Sequence, residues 1–515
     1  MAESFKRTSK TLKQVLEMVP FIHRLATKEA LRKIRKSSDR AYSLYSIIVH
    51  SQLDGWSDKE LMKKASMDEK AYRRALSELK GTLLDAFLDL DLRQGGYPEV
   101  AIRTYRMTHA QGKVEVLTRL GLRFSAYIEA EKLFNEAKEL EQWRSALQLL
   151  PGLLSAASIF GQEKRYRIFE HESIKLKELV EAESAAKKVS DEINFVYSKS
   201  EGGHPELRPI IDRATRKLQI AIERYGTFRL RYLELELRGY AGFVDMDNQQ
   251  SLSIEYEKRS LFDEYPFFAP RMGMIENIIE LLDALIRLKK LEEAQDLVSK
   301  SKHLFFVEMH EWFSFQDAQF RIMMLSQHYE AAYELTEEIF RAQGFESQIP
   351  SDMDRWKINR VFAEVFAGRG VPFRIPRTNE KPGDLAKSLL RHFPSYQKDH
   401  TGHYMSAIVL EILILLERKR GHLFLLDRID SLHKFKNRYL KKHAAFQSIC
   451  FVEMMQLVVK YDFKRASVVQ AAEPIFRRMV ESTSKDPVMH ALLLPYETLW
   501  QAIVERLPEE AWVLQ

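Results

Sequence analysis

Apolar residues recur at three- and four-residue spacing through most of this chain, the period of helices that bury one face. The line Tyr127-x-x-Ala130-x-x-x-Phe134-x-x-Ala137 sets small residues between large ones on a single helical stripe. Such a stripe lets two helix backbones cross closely. It returns as Leu291, Ala294 and Val298, and more loosely as Tyr329 and Ala332. Repetition of this kind predicts an array in which each helix pair contacts mainly its neighbours.

The pattern predicts a hairpin of helices over 112–125 and 128–140, followed by a helix from Trp143 that Pro151 kinks or restarts. A long, charged helix is expected over 164–198, ended by the loop Lys199-Ser-Glu-Gly-Gly-His-Pro205. Another helix follows from Glu206. Residues 228–237 fit both periods, and the helical context decides for helix, whereas 241–272 read as looser chain. Two further pairs fill 274–341. Ala294 and Ala332 lie 38 residues apart, against about 34 for tetratricopeptide repeats, and most of that consensus is missing.

Near the start, Ser57-x-x-Glu60 and Ser66-x-x-Glu69 each read as a capping box opening a helix. With a helix at 40–52, they give 39–91 a helix-turn-helix outline. Its second helix carries Lys70, Arg73, Arg74 and Lys80, a basic face of the type that reads nucleic acid. A structural N-terminal cap is the preferred reading. Farther on, Gly344 to Pro382 contains four prolines around a helix near 353–367 and reads as a hinge. Helices then resume at 384–393, 403–419, 422–441, 443–461 and 464–482, with Arg418, Lys419, Arg420 and Gly421 closing the second of them.

The expected fold is therefore all-α: a degenerate tetratricopeptide-like solenoid of antiparallel helix pairs behind a helix-turn-helix-like unit. Its expected divisions are a basic N-terminal segment at 1–97, repeats at 98–343, the hinge at 344–382 and a C-terminal helical block at 383–515.

With 45% hydrophobic and 30% charged residues, the composition fits a folded chain rather than a disordered one. Net charge sharpens the picture. Residues 1–40 carry +7 of a total of +6, so the rest of the chain is close to neutral. This basic segment would attract phosphates or acidic protein surfaces, although a solvated helix face is the simpler account. The single cysteine, Cys450, sits in an apolar run and excludes an internal disulfide framework. No secretory h-region opens the sequence, and Ala407–Leu416, interrupted by Glu411, is too short to span a bilayer. A cytoplasmic protein without membrane insertion is expected.

The C-terminal third carries Lys398-Asp399, the Ile408–Leu416 helix, Asp427-Arg428-Ile429, Arg438-Tyr-Leu-Lys-Lys442 and Pro495-Tyr-Glu-x-Leu-Trp500. Together with the order of the N-terminal helices, these resemble a family of large, all-helical, uncharacterised proteins of Bacteroidota. The resemblance implies a fold and cytoplasmic residence, and it implies no activity.

Motifs for phosphate loops, dinucleotide binding and serine hydrolases are missing from the sequence. His171-Glu172 lacks the second histidine of a zincin pair. Asp399-His400-x-x-His403 could supply metal ligands but reads better as a helix cap and loop. His303, Glu308 and His310 read as one helix with Phe305, Phe306 and Trp312, packing rather than catalysing. Lys434, Lys436, Arg438, Lys441 and Lys442 flank Phe435 and Tyr439, a mixture that can bind RNA through phosphates and base stacking. On an amphipathic helix, however, the two rings read better as the buried face and the cations as a solvated basic surface open to a partner. No catalytic, cofactor or metal residue is therefore expected. The expected function is a noncatalytic scaffold or adaptor holding a protein or peptide. The alternative is a nucleic-acid-associated regulator using the basic N-terminal unit, with the helical body as sensor.

Overall fold

The computed structural model describes residues 9–50, 57–95, 97–197, 205–307, 310–342, 345, 348, 350–368, 402–417, 422–438, 440, 445–482 and 492–510. Among them the chain forms twenty-two α-helices and no strand. Two compact units emerge, one of residues 1–184, 220–232 and 260–274, the other of 185–219, 233–259 and 275–515.

The first unit opens with α1 (Lys10–Leu25), α2 (Lys28–Arg35), α3 (Asp39–His50), α4 (Asp58–Lys64) and α5 (Glu69–Ala86). Helix α5 is the strut against which α1, α2 and α3 pack. It buries Tyr72, Leu76, Leu79 and Leu83 at helical spacing and turns its other face outward. The capping box at Ser57 forms as the sequence predicts, with Ser57 and Glu60 bonded reciprocally. The second predicted box does not form. Ser66 adopts a left-handed φ of 52° in the turn, and Asp68 caps α5 instead, accepting from the Ala71 amide at 2.8 Å. Asp58 ties the block together by accepting from the Ser9 hydroxyl at 2.9 Å and the Tyr72 hydroxyl at 3.0 Å.

Next come α6 (Glu99–Arg119), α7 (Arg123–Glu139), α8 (Trp143–Ile159) and α9 (Glu163–Tyr197), with α6 against α7 and α7 against α8. Tyr127, Ala130, Phe134 and Ala137 are all buried on α7, so the sequence stripe is the packed face. The Tyr127 hydroxyl reaches Gln162 Oε1 at 2.7 Å, and the Phe134 and Phe169 rings meet edge-on at 5.7 Å. Pro151 does not break α8. It lies on the exposed side, where water can serve the carbonyl that its missing N–H leaves open. Residues 241–272 are not loose either: α10 (Arg208–Tyr225), α11 (Phe228–Val244) and α12 (Asn248–Glu264) are regular helices.

One turn recurs across the chain and carries its periodicity. After α7, Glu141 is left-handed, its N–H bonds the carbonyl of Lys138, and the Gln142 N–H bonds that of Ala137. The same pair of bonds and the same left-handed residue occur at Ser66, Gly121, Gly161, Met246, Lys289, Gln327 and Asp462. This is the Schellman closure, which satisfies the last carbonyls of one helix while reversing the chain. Gly121, Glu141 and Gly161 are spaced by twenty residues, so a helix pair here repeats every forty.

In the second unit α13 (Arg271–Arg287), α14 (Leu291–Ser301), α15 (His310–Leu325), α16 (Tyr329–Arg341), α17 (Pro350–Phe366), α18 (Gly402–Glu417), α19 (His422–Arg438), α20 (Phe446–Lys460), α21 (Arg465–Val480) and α22 (Tyr496–Arg506) follow. From α14 to α21 each helix packs on the next, and α22 returns against α18, α20 and α21. Ala294 and Ala332 are fully buried at the crossings. The helix expected near 353–367 within the hinge segment is α17, with Trp356, Val361 and Phe362 buried in the core shared with the C-terminal helices. Residues 369–401, which include the expected helix at 384–393, lie outside the described residues, as do Arg418, Lys419, Arg420 and Gly421. No described helix is long and apolar enough to cross a membrane.

Candidate functional site

A groove of 690 Å³ lies over the N-terminal half of α7 in the first unit. Ala126, Tyr127 and Ala130 form its floor. Helix α6 supplies one wall with Gly112, Val114 and Thr118, and α8 supplies the other with Gly152, Ala156 and Phe160. Small residues make the space. Gly112 and Gly152 stand inside long helices, and a Cβ added at either would meet no atom within 4 Å. Glycine inside a helix costs about 1 kcal/mol relative to alanine, and packing does not require it at these positions. Gly81 in α5 is similarly open.

The groove ends in an apolar edge at the α6–α7 and α8–α9 turns. Val116, Leu120, Leu122, Phe124 and Ile159 are each at least half exposed there. Phe124 meets Phe160 edge-on at 6.0 Å, and Phe160 meets Tyr127 at 5.8 Å. Glu115 and Arg123 are the charged lining residues, and Glu115 accepts from Arg119. The lining holds no histidine, cysteine, lysine or aspartate, so it offers surface and hydrogen-bonding groups rather than an acid–base pair.

The basic residues picked from sequence fall elsewhere. Lys70, Arg73 and Arg74 project from α5, whereas Lys80 is half-buried. Their face is mixed, not basic. Arg73 pairs with Glu69, and Glu78 accepts from the Ser38 amide and hydroxyl, each at 2.7 Å. On α19, Lys434 is exposed and paired with Asp430 at 2.6 Å, and Arg438 is exposed. Lys436 is buried, donating to Gln456 Oε1 at 3.1 Å, so it is withdrawn from any partner surface. Phe435 is buried as expected, while Tyr439, Lys441 and Lys442 lie outside the described residues.

His303 and His310 do not share a helix: His303 sits in a 3₁₀ turn, and His310 begins α15 with Nδ1 2.8 Å from Gln348 Oε1. Glu308, Asp399 and His400 lie outside the described residues, as does the side chain of His403. Cys450 is buried on α20.

Two charged clusters had no signal in the sequence. In the first unit, burial pushes the Glu183 carboxyl up to about 7, against the pull of Arg229 at 2.8 Å. Glu141, beside it, is also raised by burial. In the second unit polar pairs lie within α12 and between the alternate helices α13, α15 and α17. Lys258 bonds Glu255 at 2.7 Å, Arg321 of α15 reaches Asp283 of α13 at 2.8 Å, and Asn359 of α17 reaches Asp317 at 3.2 Å. Among the described residues no three acidic, histidine or cysteine side chains converge as metal ligands would. No family model matches the chain, and no curated protein does.

Proposed function

We propose that this protein is a noncatalytic helical scaffold, a degenerate tetratricopeptide-like array that holds an apolar segment of a partner protein in the groove over α7. The observation that carries this reading is the pair of mid-helix glycines, Gly112 and Gly152, standing open on opposite walls. Their cost to helix stability keeps a channel clear beside an edge of exposed apolar side chains. An amphipathic helix is the occupant that matches such a channel, because its apolar face would cover the floor alanines and its polar face would meet Gln111, Gln148 and Ser155. The ordinary lot of such arrays is to present a surface, and the lining holds no group set for chemistry.

The test is to fill the channel without disturbing the helices. Gly112→Leu with Gly152→Phe places side chains into open space and should leave circular dichroism and the melting temperature unchanged or raised. A partner identified by native purification and mapped by cross-linking to α6–α8 should be lost from this variant. Full retention of that partner by the filled variant, or purification of the chain alone under gentle conditions, would overturn the proposal.

A further inference from the structure

The basic character of residues 1–40 resolves in the structure into two unlike sides of one helix. On α2, Lys33 turns toward the end of α5, where it pairs with Asp89, and Asp85 adds to the negative field there. Lys28 and Arg35, seven residues apart, share the opposite stripe, nearly half a turn from Lys33. Both are exposed. Lys33 is therefore neutralised by its own fold and Arg32 pairs with Glu29 at 3.5 Å, whereas Lys28 and Arg35 stand exposed.

Partly exposed aromatic rings stand on the two neighbouring helices, α1 and α3. The Arg24 guanidinium lies 5.8 Å above the ring of Phe21, which is 45% exposed. On α3, Tyr42 is 37% exposed and stacks on Tyr45 with centroids 6.3 Å apart. The Tyr45 hydroxyl stands 3.5 Å from His23 Nδ1, which ties this ring pair to α1. Arg35 closes the set from α2: its charge opposes the upward push that burial gives the Tyr45 phenol. Residues 21–42 hold seven Lys or Arg against Glu29 and Asp39.

We propose that this outer face of α1–α3 binds single-stranded nucleic acid, with Arg24, Lys28 and Arg35 on the phosphates and Tyr42 as a stacking platform for a base. Cations along a strand give affinity without sequence preference, and exposed rings select unpaired bases, because bases within a duplex are already stacked. An acidic protein would engage the cations without any need for flat, exposed rings beside them. This face is separate from Lys70, Arg73 and Arg74 on α5, where the carboxylates of Glu69 and Glu78 intrude.

Fluorescence anisotropy of the full chain with a labelled oligouridine, an oligothymidine and a matched duplex tests this, at low and near-physiological salt. The single strands should bind more tightly than the duplex, with affinity falling as salt rises. Arg24→Glu with Arg35→Glu should weaken binding and flatten the salt dependence. Tyr42→Ala should weaken it about tenfold or more while leaving the salt slope unchanged, and Tyr42→Phe should retain it. Arg73→Glu with Arg74→Glu should bind as the natural chain does. Absence of binding at low salt overturns the proposal. So does equal affinity for the duplex, competition by polyglutamate at equal charge, or binding indifferent to Tyr42→Ala. Because this face lies outside the groove over α7, none of these results bears on the scaffold reading.

Discussion

The carboxylate of Glu141 accepts hydrogen bonds from the backbone amides of Phe228, at 3.1 Å, and Arg229, at 2.8 Å. Glu141 holds the left-handed position of the α7–α8 turn, and Phe228 is the first residue of α11. One residue thus closes one helix and caps another. A left-handed backbone costs a non-glycine residue about 1–2 kcal/mol, and at Gln327, which is exposed in the equivalent turn, nothing visible offsets that cost. Gln327→Gly should therefore stabilise the protein by about 1 kcal/mol. Glu141→Gly relieves the same strain but leaves two amides at a helix start without their acceptor, which costs about 1–3 kcal/mol. It should be neutral or destabilising. Urea denaturation of both variants checks the contrast, and equal stabilisation by the two would show that the cap contributes nothing.

Glu411 makes a pH prediction. It lies in α18 with its side chain fully buried, 3.5 Å from Arg428, and burial pushes its carboxyl up to about 8. Because this is above the value in an unfolded chain, the folded state holds the proton more tightly. Its contribution to stability is complete at low pH and is lost as pH rises toward and through 8. Glu411→Gln mimics the protonated acid. Near pH 4, below the value in an unfolded chain, it should change stability little, and as pH rises it should become progressively more stable than the natural chain, by roughly 4–5 kcal/mol at pH 9. Denaturation of both proteins across this range reads the difference directly. A constant difference would mean that Arg428 keeps the carboxylate charged.

Much of the helical order was legible because long amphipathic periods announce themselves. The helix expected at 164–198 is observed at Glu163–Tyr197, and the capping box at Ser57 forms. Errors arose where local signals competed. Ser66 and Asp68 both precede the same helix, and the left-handed turn at Ser66 leaves the cap to Asp68. Pro151 reads in sequence as a kink or a restart, and α8 runs through it as one helix with the proline on its exposed side. The repeated Schellman turns were hidden because only some of their left-handed residues are glycine. The groove was not legible as a shape, since its width depends on how α6 and α8 diverge over α7. Its trace was present all the same: Gly112 and Gly152 lie inside helical patterns far from any cap.

Alanines and glycines in the repeat segment fall into two physical classes, and substitution should separate them. Ala137, Ala146, Ala294 and Ala332 are fully buried where helices cross. Leucine at any of them must push two backbones apart, so Ala332→Leu or Ala146→Leu should cost about 1–3 kcal/mol through overpacking. Ala156 is only half-buried and borders the groove, and Gly112 and Gly152 face open space. Ala156→Leu should be nearly neutral, while Gly112→Ala and Gly152→Ala should each stabilise by up to about 1 kcal/mol, the intrinsic preference of a helix for alanine. Thermal unfolding of the single variants gives the ranking. If the groove glycines behaved like the crossing alanines and lost stability on gaining a methyl group, the channel would be closed by packing in solution, and no partner segment would fit over α7.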